Sequence, residues 1–257
     1  RTMTKKPVYL ILGVPSSGRR EVIADLVTDT LTGEGIALTL LSGAEQESEI
    51  DKHLGIVAYF DWTSEHRFVA EIPDACDMVF VVTDGRHNPV DQIEAFRDWL
   101  PGSGCELARI FCVVNCQLAE KTPEIVAWYD ACIHFSDVVF LNRREGVSNK
   151  WISDFVDRYE KQCMPCLFEM VRGGRVKNPA LILEPVARRI SQAFDDQTTY
   201  DLGDIVVEDE EGNEDEEFKA EKEEDEALSP KIDPYFVRRP GGRRLKEIPD
   251  IAAILKL

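Results

Sequence analysis

The spacing of apolar positions switches repeatedly over the first 200 residues of this chain. Val8–Leu12 is an unbroken apolar run, the pattern of a strand buried on both faces. Glu21–Leu31 then places apolar residues about 3.6 apart, the period of a helix with one buried face. Strand-like runs return at Ile36–Leu41, Gly55–Trp62, Asp77–Val82, Arg109–Asn115 and Asp137–Asn142. Helix-like stretches fall at Val90–Leu100, Pro123–His134, Trp151–Lys161 and Pro179–Phe194. Alternation of this kind predicts an α/β fold: a doubly wound, mainly parallel sheet with helices on both faces. Ligands of such sheets collect at the carboxyl ends of the strands, where Gly13, Asp84, Asn115 and Asn142 are expected.

Beyond Tyr200 the alternation stops. Residues 201–226 carry fifteen Asp and Glu against two Lys. So polar a stretch buries too little surface to offset the entropy of ordering it. The expected organisation is a domain at 1–200, a disordered acidic linker at 201–228, and a basic and apolar C-terminal extension at 229–257. In that extension Tyr235 and Phe236 stand beside Arg238, Arg239, Arg243 and Arg244, a candidate motif for docking a protein partner. The alternative is a tail that crosses back over its own domain.

Charge and composition narrow the function classes. Of the net −18, residues 201–226 hold −13, residues 227–257 hold +4, and the first 200 hold −9. An acidic body argues against non-specific nucleic-acid binding, which needs clustered Lys and Arg. No run of 18 uncharged apolar residues exists, so no membrane span is expected. The basic start gives way to an apolar run that Gly13 breaks too early for a signal peptide, and a cytoplasmic protein is expected. Seven cysteines, several in or beside apolar segments (Cys76, Cys112, Cys116, Cys132), read as reduced buried thiols. Cys163 and Cys166 form one C-x-x-C. None of the four histidines is spaced to complete it as a zinc site, and a helix-ending turn with ordinary thiols is expected.

The densest chemistry follows the first strand. Gly13-Val14-Pro15-Ser16-Ser17-Gly18-Arg19-Arg20 has the layout of a phosphate-binding loop, G-x-x-x-x-G-K-[ST]. Glycines at both ends let main-chain amides converge on one anion, and the following helix adds positive potential. Candidate phosphate contacts are therefore Gly13, Ser16, Ser17 and Gly18, with Arg19 and Arg20 to neutralise charge. Yet Arg19 stands where the motif has lysine, and Arg20 where it has the magnesium-binding hydroxyl. Magnesium requires oxygen donors, and a guanidinium repels it. The two arginines either meet phosphate oxygens or fill the site themselves. Asp84, at a strand end, is a possible metal ligand; as the start of an Asp-Gly turn it needs no ligand at all.

Two further segments carry a family resemblance. Asp77-Met78-Val79-Phe80-Val81-Val82-Thr83-Asp84-Gly85-Arg86-His87-Asn88-Pro89 resembles the D-x-V-x-I-E-T-S-G-x-A-x-P segment of CobW-type metallochaperone GTPases of the SIMIBI class. Phe135–Glu145 resembles their guanine-reading A-D-x-V-x-L-N-K-x-D. With the glycine loop, the three segments keep the family's order over roughly residues 7–195. The resemblance implies a P-loop NTPase-like fold, GTP or another nucleotide as ligand, and Asn142 and Glu145 near the base. The departures fall on the chemistry. The family's acidic residue in the second segment falls on Val82, its base-reading lysine on Arg143, and its aspartate on Glu145. Its C-x-C-C metal motif has no counterpart, since Leu40–Ala75 holds no cysteine. The reading that follows is a pseudoenzyme: a GTPase-like protein that binds nucleotide or phosphate weakly or not at all and acts through association. Two alternatives remain: an active GTPase with rearranged groups, in which Asp84 or Glu145 supplies the metal carboxylate, and a ligand-free scaffold whose 229–257 segment binds a partner.

Overall fold

The computed structural model describes residues 5–30, 35–62, 67–195 and 232–256. The expected acidic linker, 201–228, lies wholly outside the described residues. Eight strands form one sheet in the order β4-β3-β2-β5-β1-β6-β7-β8. They are β1 (Lys6–Leu12), β2 (Ala37–Ser42), β3 (Ile56–Trp62), β4 (Phe68–Val69), β5 (Met78–Val82), β6 (Cys105–Asn115), β7 (Val138–Asn142) and β8 (Leu167–Met170). All neighbours are parallel except β3 and β4. The helices are α1 (Arg19–Thr30), α2 (Pro89–Trp99), α3 (Cys116–Lys121), α4 (Val126–His134), α5 (Asn149–Glu160), α6 (Pro179–Leu183) and α7 (Ile251–Leu255).

The unbroken apolar runs have a physical reason in this architecture. Along β1, Val8, Leu10 and Leu12 join a core with Val90, Ile93 and Phe96 of α2, Trp128 and Tyr129 of α4, and Phe155 of α5. Tyr9 and Ile11 face the other way, into a core with Val22, Ile23 and Leu26 of α1 and Ile182 and Leu183 of α6. Both faces of the central strands are covered, so neither parity can be polar. The expected fold is the observed one.

The sequence misjudges one helix. The Pro179–Phe194 stretch stops being helical at Leu183. Glu184 precedes Pro185, whose ring disfavours the helical region for its neighbour, and Glu184 is extended at ψ 127°. The carbonyls that the helix would have used are captured instead. Arg109 donates to the carbonyls of Leu181, Ile182 and Val186 at 3.1, 3.0 and 3.0 Å. Tyr9 donates its phenol hydrogen to the Leu183 carbonyl at 2.6 Å. Asp137, fully buried, accepts from the amides of Arg188 and Arg189 at 2.6 and 3.1 Å. The two-residue β4 and the edge strand β8 are also additions to the sequence reading.

The described part of the C-terminal extension packs on the α2–α4 side of its own domain. Tyr235 is buried against His134 and Phe135, and Phe236 stacks on Phe135 with its centroid 5.3 Å away. Arg244 is nearly buried and bridges Asp91 and Glu94 of α2 at 2.5 and 2.7 Å. Arg238 pairs with Glu94 at 2.5 Å. Asp233 accepts from Ser191 and meets His134 Nε2 at 2.8 Å. The aromatic and arginine side chains read as a docking motif are thus largely spent within the chain; Arg239 and Arg243 stay exposed.

Candidate functional site

The glycine loop joins β1 to α1 through one 3-10 turn, Pro15–Ser17, between two glycines of positive φ, Gly13 at 141° and Gly18 at 89°. Side chains have no room there. A Cβ on Gly13 would lie 2.6 Å from the Val113 carbonyl oxygen, and one on Gly18 would lie 2.2 Å from Asn142 Nδ2. The loop is held from the neighbouring strands. Asn115 at the end of β6 donates to the Ser16 carbonyl at 3.1 Å, and Asn142 at the end of β7 donates to the Ser17 carbonyl at 2.8 Å. Pro15 has no amide hydrogen, and the amide of Ser17 is used within the turn, on the Val14 carbonyl at 3.0 Å. The loop thus offers fewer free donors than its length suggests.

Arg19 and Arg20 open α1, but their heads turn inward to the protein. Arg19 is 3% exposed. Its Nη1 donates to the Thr83 carbonyl just past β5, and its Nη2 meets Glu45 Oε1 at 2.5 Å. The other Glu45 oxygen takes Arg20 Nη2 at 2.8 Å. Arg20 Nη1 then reaches Asp51 at 2.9 and 3.0 Å and the Gln46 carbonyl at 2.8 Å. Two guanidinium groups and two carboxylates so form a chain, Arg19–Glu45–Arg20–Asp51, at the start of α1. Burial pushes the Arg19 pKa down, and Glu45 beside it works in the opposite direction. Sequence reasoning missed Glu45 and Asp51, because nothing local marks them; only the turn after β2 brings them over α1.

The second segment is equally self-contained. Val82 is 1% exposed and belongs to the α1-side core, where no metal or water reaches it. Asp84 is buried and saturated with donors. It accepts from the amides of Arg86 and His87 at 2.9 and 3.3 Å, from Gln92 Nε2 at 2.7 Å, and from His87 Nδ1. Burial would raise its pKa, but these donors outweigh it and hold the carboxyl below the ordinary value. A Cβ on Gly85 would lie 2.1 Å from the Gly13 carbonyl oxygen, so this turn packs directly on the glycine loop.

Around Phe135–Glu145 the candidate site residues are engaged by the protein itself. Asn142 spends its amide on the loop. Arg143, at φ 52°, pairs with Glu21 at 2.5 Å. Glu145 is exposed, and its main-chain carbonyl accepts from Gln117 Nε2 at 2.6 Å. Magnesium fits this donor set poorly: its usual positions are a guanidinium at Arg20 and an isopropyl group at Val82. Among the described residues no group of three or more His, Cys, Asp or Glu is arranged to hold a metal ion. Beside this chain of charges lies a cleft of about 490 Å³, lined by Pro15, Arg19, Arg20, Glu45, Ser48 and Arg86 among others.

The fold is a doubly wound, mainly parallel α/β sheet with a glycine loop between β1 and α1. No family model matches the chain, and no curated protein does. Among solved structures it is similar to the zinc-bound YjiA GTPase from E. coli, at 10% identity and a TM-score of 0.45. A zinc-bound triple mutant of YjiA GTPase gives 11% and 0.46. Each likeness covers 71% of this chain and 61% of the other, so the chain spans about three fifths of those proteins' length.

The cysteines stay out of this chemistry. All seven are free thiols and all but Cys163 are buried. Burial pushes the thiols of Cys116 and Cys166 up to about 12, which leaves them protonated and unreactive near neutral pH. Among the described residues no helix is long and apolar enough to cross a membrane.

Proposed function

We propose that this protein is a degenerate P-loop GTPase-like protein that binds nucleotide or phosphate weakly or not at all and acts through association with another protein. One observation carries the reading. The guanidinium of Arg19 lies buried between the Thr83 carbonyl and Glu45, at the start of the helix that follows the glycine loop. A catalytic lysine reaches out to the phosphates; this side chain is satisfied by its own protein. Arg20 and Val82 support the reading, because neither can hold magnesium. Hydrolysis needs a metal-bound phosphate and an ordered nucleophile, and this site supplies neither.

Asp84 does not rescue an active GTPase. A carboxylate that already accepts four hydrogen bonds has to break several of them to ligate a metal. Association through 229–257 has a specific surface left: the turn from Arg238 to Arg244, with Arg239 and Arg243 exposed. The test is calorimetry with GTP, GDP and ATP, with and without Mg²⁺, alongside a phosphate-release assay. The expected result is no turnover and weak or absent heat. Magnesium-dependent turnover that an Asp84→Ala variant abolishes would replace this reading with the active enzyme.

A further inference from the structure

A single carboxylate bridges the two arginines. Each oxygen of Glu45 takes a different guanidinium, Arg19 at 2.5 Å and Arg20 at 2.8 Å. Two planar cations closing on one anion is the arrangement by which proteins hold oxyanions. It sits on the first turn of the 12-residue α1, where helix potential also favours negative charge. A second, independent feature lies in the loop beneath. Ser17 Oγ is fully buried and has no hydrogen-bond partner; it lies 2.8 Å from where a Gly13 Cβ would stand. The segment that carries Glu45 is exposed on both sides of it, at Gly43, Ala44, Gln46, Glu47 and Ser48. None of these residues belongs to either core, and the cleft lies beside them.

We infer that Glu45 is a tethered stand-in for an anionic ligand, and that the ligand it displaces is a small free oxyanion of the phosphate or pyrophosphate class. The inference rests on the non-hydrolysing reading above, and it names both the ligand class and the gate. A base adds nothing to recognition here, because Asn142 is committed to the Ser17 carbonyl and Arg143 to Glu21. Binding trades one carboxylate for another anion on the same two guanidinium groups. Wild-type affinity is weak because the tethered carboxylate is always present at high local concentration.

The test is calorimetric titration of pyrophosphate, without magnesium and at fixed ionic strength, into wild type and Glu45→Gln. Glutamine keeps the length and removes the charge. The variant is expected to bind pyrophosphate about tenfold tighter or more, since its two arginines lose their competitor. Adding Arg20→Gln to E45Q is expected to return affinity to the wild-type level, and guanosine is expected to give no heat. Equal pyrophosphate affinity in folded wild type and E45Q overturns the inference, as does a gain that survives Arg20→Gln. Should E45Q not fold, Glu45→Asp makes the comparison, because a carboxylate one methylene shorter reaches the two guanidinium groups less well and is expected to leave pyrophosphate bound more tightly than in wild type. Unchanged affinity there overturns the inference equally. GTP turnover by wild type would sink the preceding reading alone and leave the pyrophosphate comparison to its own numbers.

Discussion

Arg109 and Arg19 are both almost completely buried, and they are buried differently. Arg109, 1% exposed on β6, is surrounded by main-chain carbonyls of one segment, residues 181–186. Arg19, 3% exposed, shares its charge with a carboxylate on an exposed turn beside an open cleft. Carbonyls on a packed strap cannot leave without unfolding it. A carboxylate on a surface turn can. The first arginine is a staple and the second is a plug, although burial alone does not separate them. A buried charge marks a ligand site only where its partner is free to go.

The largest expected effect comes from the staple. Arg109→Met removes the donors from three main-chain carbonyls and should cost about 3 kcal/mol or more, read by urea denaturation. Amide hydrogen exchange should rise first in residues 179–195. A cost under about 1 kcal/mol would mean that the strap holds itself. Arg19→Met should cost less, about 1–2 kcal/mol, because Glu45 keeps Arg20 and can turn outward to water. If R19M proves as costly as R109M in the same denaturation experiment, the plug is a second staple and the contrast is void.

The two regions were also unequally legible. The glycine loop announces itself by spacing, because only glycine tolerates the φ values at positions 13 and 18 and the close approach of the Val113 carbonyl and Asn142. The sheet order was implicit in the alternation of periods, since covered strands must be apolar on both faces. Glu45 and Asp51 carried no local signal; they are two acids in an acidic chain, placed over α1 by a turn whose geometry is tertiary. Arg109 was hidden for the opposite reason. A charge inside an apolar run reads as a surface position until the strap that buries it is seen. Pro185 argues against a helix through 194, while the apolar spacing around it argues for one, and the proline prevails. Tyr235, Phe236 and the arginines near them were legible as adhesive, but sequence cannot say whether the partner is another protein or the same chain.

Tyr9 sharpens the staple further. Its phenol donates to the Leu183 carbonyl, and burial pushes its pKa up to about 12. Tyr9→Phe should cost about 1 kcal/mol at neutral pH. The sign with pH is fixed by the raised value. The contribution is complete below the ordinary pKa of 10.0 and declines as pH climbs towards about 12. The stability gap between wild type and Y9F should therefore be flat from pH 6 to about 9 and narrow above it. A gap that widens with alkali would show that the phenolate, not the phenol, is the form the strap prefers.

The smallest effect separates staple from plug in a third place, the C-terminal segment. Asp233 anchors it through Ser191, His134 and the amide of Tyr235. Burial alone would raise the Asp233 pKa; the hydrogen bonds from His134, Ser191 and the Tyr235 amide outweigh it and hold it below 3.8. A depressed carboxyl stabilises at every pH above its unfolded value and loses that contribution as pH falls through the folded one. Acid below about pH 4 should thus release the segment, raising hydrogen exchange at 232–256 before the sheet opens. Asp233→Asn should cost about 1 kcal/mol at pH 7 and remove the acid transition of this segment while leaving that of the sheet. If the segment and the sheet exchange together at every pH in both proteins, the extension is stapled to the domain, and Arg238 and Arg244 stay committed to α2. If the segment alone lets go, it behaves as the Glu45 turn is argued to behave, a piece of the protein lodged where another molecule can displace it.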